Sequence, residues 1–584
     1  MQQQWLASGA AGGVQVEGLN NVRRGAGARV RIVVEGQVRL AVLGDCSVTE
    51  EEMRAAPPAA SGRWAELTHW TGSYWVVADN GHQRFVCGDL AGIRPVYYSL
   101  RKGRVEWATQ VRLLADGMHA APDLGLLAAQ LTVGEQHWPH RTPYEQVRQV
   151  PGGYGLLLTP GTPPQLVDVS DACPAVGLRE GARRFGKALT EAVQHRLHAA
   201  EGPVGADLSG GLDSSTAVML AAEVGRVRAV TYTDGYTSGE DMAFAARVAR
   251  HPAITHTVAT GTETELPFSF PARQPTASEP VLEAAMFAMD AAYLHPVRDL
   301  ALHLTGHGGD VVLDSSSACW VRLIQDGHRR EARRQVVAFA RLRNAAPGPY
   351  WKALTRAAGL GRVGALAEAA DTLERGPVTP ATRGGWSWCR PGPAASWLTT
   401  GGRRQVAVLV RQAMHTRQPD RADTFDQWAA LRAVGASARG WMPYGDALDI
   451  RPVHPYLDNQ VVRAAFAVPA LARRGMVAYK PLLAAALPQL PAWLTSRRSK
   501  GSFTAQRIAG LARNHDRLDA LISHSPLVSE GLIDLDAVRQ ALAEAARGQS
   551  THAIADLHQL VVTCWWLTGH TDAPQQRATL GVAC

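Results

Sequence analysis

The stretch that most constrains this chain is Ala206-Asp207-Leu208-Ser209-Gly210-Gly211-Leu212-Asp213-Ser214-Ser215. A short apolar entry leads into two adjacent glycines, and a run made mostly of helix formers follows from Thr216 to Glu223. That order is strand, tight turn, helix. The glycines let the backbone come close to a ligand. The first N–H groups of the helix are unpaired and lie at the positive end of its dipole, so an anion fits there. Ser209, Ser214 and Ser215 add hydroxyl donors, and Asp213 adds a carboxylate able to hold Mg²⁺ on phosphates. No Gly-Lys-Ser/Thr follows the glycines, so this phosphate cradle is not a Walker loop.

The stretch opens an alternating region. A second buried strand is expected over 228–233, a helix after Ser238-Gly239-Glu240-Asp241, and a strand over 255–258. Strand, crossover helix, strand is the unit of a parallel sheet, whose ligands bind beyond the carboxyl ends of the strands. Thr231, Tyr232 and Thr233 therefore either meet an adenine or simply pack the strand end. A further strand, 300–304, runs into Thr305-Gly306-His307-Gly308-Gly309-Asp310, a second glycine-rich turn with an aspartate. Two carboxylates from two loops can hold a metal ion on a polyphosphate.

Before this region, residues 28 to 170 read as strands. Valine-rich runs flank Glu35-Gly36-Gln37, and Asp79-Asn80-Gly81 marks a hairpin. Residues 159 to 178 are linker-like, and an amphipathic helix is expected over 178–199, with His195 and His198 on its surface. From 320 to 440 the chain is mostly helical. Residues 376–397 interrupt it with Trp386, Trp388 and Trp397, either a peptide-gripping or a packed loop.

At 584 residues two or more domains are expected, and 46% hydrophobic with 19% charged residues is globular composition. No apolar run is long enough for a membrane span, and the N-terminus lacks the layout of a secretion signal, so a cytoplasmic enzyme is expected. The seven cysteines are dispersed without C-x-x-C pairs, which argues against a disulfide framework or a zinc knuckle. The net charge of +8 is modest for this length and its arginines are spread, so no nucleic-acid partner is expected.

The string SGGLDSS resembles the pyrophosphate loop of ATP pyrophosphatases of the asparagine synthetase type, and TGHGGD resembles the second motif of that family. The resemblance implies ATP and Mg²⁺ as cofactors. Asp213 and Asp310 would hold the metal; Leu208, Ser209, Gly210, Gly211, Asp213, Ser214, Ser215, Thr231, Tyr232, Thr233 and Gly308 would hold the nucleotide. Arg451-Pro452-Val453-His454-Pro455-Tyr456-Leu457-Asp458 and, more loosely, Tyr479-Lys480-Pro481 resemble later family segments. Lys500, in Ser496-Arg497-Arg498-Ser499-Lys500, takes the place of a family lysine that reaches the active site.

Residues 84–99, Trp107-Ala108-Thr109 and Val150-Pro151-Gly152-Gly153 resemble the glutaminase domain of glutamine-dependent amidotransferases. Those domains use an N-terminal cysteine nucleophile. Here that position is Gln2 and the nearest cysteine is Cys46, so the domain is expected to keep the fold without the chemistry. The implied class is α+β and α/β. A degenerate glutaminase-like (Ntn) β-rich sandwich over 1–170 would precede, over 178–584, an ATP-pyrophosphatase-type parallel sheet with a large helical part.

Within the superfamily the chain looks most like a lasso-peptide cyclase. Such an enzyme adenylates an Asp or Glu side chain of a precursor peptide and joins it to the peptide's N-terminal amine. The expected partners are the linear precursor peptide, and with it a leader peptidase and a leader-binding protein of the same pathway. A β-lactam synthetase-like enzyme or an ammonia-using amidotransferase are the alternatives. His307, where β-lactam synthetases have Tyr, either takes the amine proton or only shapes its loop.

Overall fold

The computed structural model describes residues 4–8, 12–56, 62–101, 103–171, 174–200, 202–376, 378, 385–476, 479–497 and 501–571. Gln2 and Lys500 lie outside them.

Two antiparallel six-stranded sheets occupy residues 6–168. Their packing follows from alternation along the strands. In Val38–Cys46 and Gly72–Asp79, the side chains of Ala41, Leu43, Trp75 and Val77 point between the sheets, where they meet Leu6, Val96 and Trp107 of the other sheet. Leu40, Val42 and Val76 face the opposite way, into the cluster that holds Phe185 and Leu189 of helix Leu178–His198. The Asn80-Gly81 hairpin forms, with Asp79 opposite Arg84.

Two expectations change here. The segment 159–178 is not all linker. Gln165–Asp168 forms an edge strand antiparallel to Tyr154–Leu158. Its side chains are largely exposed, so it shows no apolar pattern. His195 is also half-buried and engaged rather than free on the helix surface. Its Nε2 lies 3.2 Å from Asp45 Oδ1, across the contact between the sandwich and the rest of the chain. The same contact buries Arg196, whose Nε lies 2.8 Å from Asp45 and whose Nη1 lies 3.1 Å from Asp458. Burial opposes ionisation of Asp45, but Arg196 and His195 overcome it and hold this carboxyl well below the usual range. Asp458, which shares the same Arg196, is instead raised by its burial.

The second sheet is parallel, with five strands in the order Ile254–Thr260, Val227–Thr233, Val204–Asp207, His303–Leu304, Pro452–Val453. From Val204–Asp207 the chain first steps to one side, then returns to the other side at His303–Leu304. The strand order therefore reverses between these two strands, and a crevice opens outside their carboxyl ends. The strand expected over 300–304 is only His303–Leu304, because its outer neighbour offers just Pro452 and Val453 as partners.

A helical mass follows, including Ala318–Gln325, Arg329–Arg341, Pro347–Arg375, Thr400–Ala413 and Ala422–Ala447. Trp388 and Trp397 are buried in it, and the Trp386 Nε1–H donates to Asp426 Oδ1 at 2.7 Å. The described tryptophans of 376–397 thus pack the fold. Among the described residues no helix is long and apolar enough to cross a membrane.

Candidate active site

Both glycine-rich loops lie at the strand-order reversal. The first leaves Val204–Asp207, turns at Gly210 and enters helix Leu212–Ala222. Gly210 has φ +75°, and a Cβ there would sit 2.1 Å from the Asp241 carbonyl oxygen, so only glycine fits. The turn is held from within. Gly211 N–H donates to Ser209 Oγ at 3.2 Å, and Ser209 Oγ lies 2.9 Å from Ser214 Oγ. Leu208 is buried and its N–H donates to Val230 O. Ser215 is buried at the helix start, its hydroxyl without a hydrogen-bond partner.

The second loop leaves His303–Leu304 and packs directly on the first. A Cβ on Gly309 would lie 2.4 Å from Asp213 Cγ, so this glycine lets the two loops touch. Gly308, at φ +94°, precedes the short helix Gly309–Leu313 that carries Asp310. The aspartates converge on one cation. Lys480 Nζ lies 2.6 and 2.5 Å from Asp213 Oδ1 and Oδ2, and 2.7 Å from Asp310 Oδ1. Burial pulls the Lys480 ammonium down, but the two carboxylates overcome this and raise it above the ordinary lysine value. Tyr456 OH donates to the Asp213 carbonyl at 3.1 Å.

These residues fit Mg²⁺. Asp213 and Asp310 already bracket a cationic atom, and Mg²⁺ on phosphates takes one or two carboxylates, the remaining positions going to substrate oxygens and water. Among the described residues no group of three or more His, Cys, Asp or Glu forms a fuller cage.

The neighbouring strand end is more closed than expected for an adenine contact. Thr231 is buried, and its hydroxyl lies against Leu208 O and 2.7 Å from His256 Nε2. Tyr232 OH is sealed under Gly261 and Thr233 O accepts from Gly261 N. Thr231 is thus occupied in packing the strand end.

His307 lies half-buried with its Nε2 3.1 Å from the Val434 carbonyl in helix Ala422–Ala447. A carbonyl only accepts, so Nε2 carries the proton and Nδ1 is the basic nitrogen. Burial lowers the pKa of His307, and lowers that of His454 further. At neutral pH His307 is therefore an uncharged imidazole. Beside Asp310 a cavity of about 260 Å³ opens, lined by Asp314, Ser316, Asp423, Asp426 and Gln427 among others.

Arg497 and Gly501 flank the segment that contains Lys500, and both lie against Asp241, the residue that abuts Gly210. Sequence reasoning missed the roles of Lys480 and Tyr456. Lys480 was visible only as part of Tyr479-Lys480-Pro481, and its contact with Asp213 spans 267 residues. In the sandwich, Cys46 is buried and its thiol is pushed up to about 12 by burial, so it supplies no thiolate.

The sequence profile of the family described as asparagine synthase matches residues 184–568, more than half of the chain. No curated protein matches the chain. Two solved structures align weakly. They are the glutamine phosphoribosylpyrophosphate amidotransferase from B. subtilis complexed with ADP and GMP, and a structure of the allosteric regulatory enzyme of purine biosynthesis. Each is 11% identical, covers 41% of this chain and 64% of its own, and has a TM-score of 0.16. The alignment thus spans less than two thirds of those chains, and at that TM-score it carries no argument.

Proposed function

The chain belongs to the asparagine synthase family, and from that premise we propose that it is an ATP-dependent C–N ligase that closes a lasso-type macrolactam. A side-chain carboxylate of a linear peptide attacks the α-phosphorus of ATP. The bond to pyrophosphate breaks, leaving an acyl-adenylate. The peptide's own N-terminal amine then attacks the acyl carbon, the C–N bond forms, and AMP departs.

The observation that carries this reading is the convergence of Asp213 and Asp310 on one cation beside the Ser209–Ser215 turn. Those two aspartates would hold Mg²⁺, which would supply charge neutralisation for the departing pyrophosphate. The helix start at Leu212 and the hydroxyls of Ser209 and Ser214 orient the polyphosphate. Lys480 holds its ammonium at the two aspartates, where it would add positive charge for the polyphosphate. Lys500 is assigned to the charge that develops at the acyl-adenylate. His307 Nδ1 is assigned to accept the amine proton; its Nε2 is already engaged by Val434. The peptide reading is favoured over glutamine-fed ammonia transfer by Gln2 at the nucleophile position and by the helical mass beside Asp310.

The test is purified protein with ATP, Mg²⁺ and synthetic linear peptides that carry Asp or Glu a short distance from a free N-terminus. The expected result is AMP, pyrophosphate and a peptide lighter by one water. Pyrophosphate release with no peptide dependence would sink the peptide reading. His307→Ala with full ring closure would remove His307 as the base.

A further inference from the structure

The charged groups that line the cavity beside Asp310 are all acids. Asp310, Asp314, Asp423 and Asp426 line it, and among its described lining residues none is Lys, Arg or His. Two arginines behind it are engaged elsewhere. Arg322 donates through Nε to Asp326, and its Nη1 stays 3.6 Å from Asp423. Arg474 donates to Ser315 O and stays 3.8 Å from Asp314.

Three of these carboxylates are held in place by one oxygen. Asp314 Oδ1 accepts from Ser315 N–H at 2.7 Å and from Gly475 N–H at 3.1 Å. Asp423 Oδ1 accepts from Thr424 N–H at 2.8 Å, and Asp426 Oδ1 accepts from Trp386 Nε1–H at 2.7 Å. Among the described residues nothing bonds to Oδ2 of Asp314 or Asp423, whose side chains stay 22% and 20% exposed. Each is fixed, with an oxygen left to offer. They do not make a metal cage, since among the described residues no three His, Cys, Asp or Glu converge enough to hold an ion.

The cavity is tied to the site by one helix. Asp423, Asp426, Gln427 and Ala430 follow one another at helical spacing along Ala422–Ala447, and the next position of that stripe is Val434, where His307 docks. Asp426 and Val434 stand about 12 Å apart along the axis. Between the acids the wall is apolar, with Val311, Ala318 and Ala470. A cationic head on an alkyl stem matches such a lining. At about 260 Å³ the cavity is smaller than the roughly 300 Å³ at which whole-ligand pockets begin, and it suits a single side chain.

We propose that this cavity is a specificity subsite for a basic side chain, Arg or Lys, of the linear peptide, which it anchors beside the adenylation loops. The occupant is not the attacking amine. Carboxylates keep an amine protonated, and a protonated amine has no lone pair with which to attack. Burial raises the Asp426 carboxyl against donors from Ser316 and Trp386, and Asp423 adds to the rise; a bound cation offsets both. That the occupant belongs to a peptide rests on the proposed ligase reading.

Calorimetry on the full chain compares Nα-acetyl-argininamide with Nα-acetyl-citrullinamide, which has nearly the same shape without the charge. The arginine probe should bind at least tenfold more tightly, and Asp423→Asn and Asp426→Asn should each weaken it at least tenfold. Ala430→Leu narrows the cavity without altering a charge and should weaken the same probe, so the test survives a folding defect in an aspartate variant. Equal binding of the two probes, or unchanged arginine binding in all three variants, would overturn the proposal. So would displacement of the arginine probe by glycinamide, which would give the cavity to an α-amine instead. Linear peptides with a single Arg moved position by position should, at one position, close at least tenfold faster than their citrulline counterparts; the lack of any such position would also overturn it. Absence of pyrophosphate release with every peptide would instead defeat the ligase reading, and the probe measurement would still stand.

Discussion

The sandwich and the parallel-sheet region treat reactive side chains in opposite ways. In the sandwich they are buried out of use. Cys46 and Cys87 are both raised by burial, and Asp45 is consumed by Arg196. Around the parallel sheet they converge at a crevice. Asp213, Asp310 and Lys480 share one point, and a cavity opens beside Asp310. The lesson is that burial alone does not make a site. In the sandwich such groups end in fixed pairs or deep burial, whereas at the strand-order reversal two carboxylates meet beside a cavity.

The comparison can be broken most severely at the aspartates. Asp213→Asn or Asp310→Asn should cut pyrophosphate release by about 10²–10³-fold or more, the scale of losing one preorganised electrostatic group. Near-normal release in either would show that the loops do not hold the metal. The next largest effect is on stability. Arg196→Met leaves Asp45 and Asp458 buried without their cation and should cost about 3–5 kcal/mol in denaturant unfolding. A cost near zero would mean the sandwich is not fastened there.

Lys480→Met tests the convergence itself. It should lower the melting temperature, and added Mg²⁺ should recover more in the variant than it adds to the unaltered chain, because the two carboxylates then lack their cation. Equal Mg²⁺ responses would separate the lysine from the metal.

A smaller effect is expected with pH. Burial, with the like charges of Glu283 and Asp207, raises Asp290 to about 7 in the folded chain against the opposing hydrogen bond from Trp441, while it titrates near about 4 when unfolded. Between those values the folded state holds the extra proton, so this group makes stability fall as pH rises from about 4 to about 7. Asp290→Asn should remove that slope. Smallest of all, Cys46→Ser should leave glutamine untouched, as the unaltered protein does. Glutamate release from glutamine by either protein would overturn the view that the sandwich is inert.

Much of the site was legible because it is local. Ser209–Ser215 and Thr305–Asp310 each combine a strand end, glycines and a carboxylate within a few residues, and backbone geometry does the rest. Which of its two readings the Thr231 side chain follows was not legible, because its hydroxyl partners, Leu208 O and His256, come from two other segments. The edge strand Gln165–Asp168 was hidden because its exposed side chains carry no alternation. His195 seemed a helix-surface residue because nothing near it in sequence announces Asp45.

By itself, the sequence determined that a glycine-rich turn with a carboxylate stands at the head of a parallel sheet and that a second acidic loop answers it, since both depend on turns a few residues long. Only the tertiary structure decided that Lys480 clamps the two aspartates and that Glu283 meets Ser437 of helix Ala422–Ala447. Those arrangements join residues more than 150 positions apart, brought together by burying apolar faces that hold no record of which polar groups will meet.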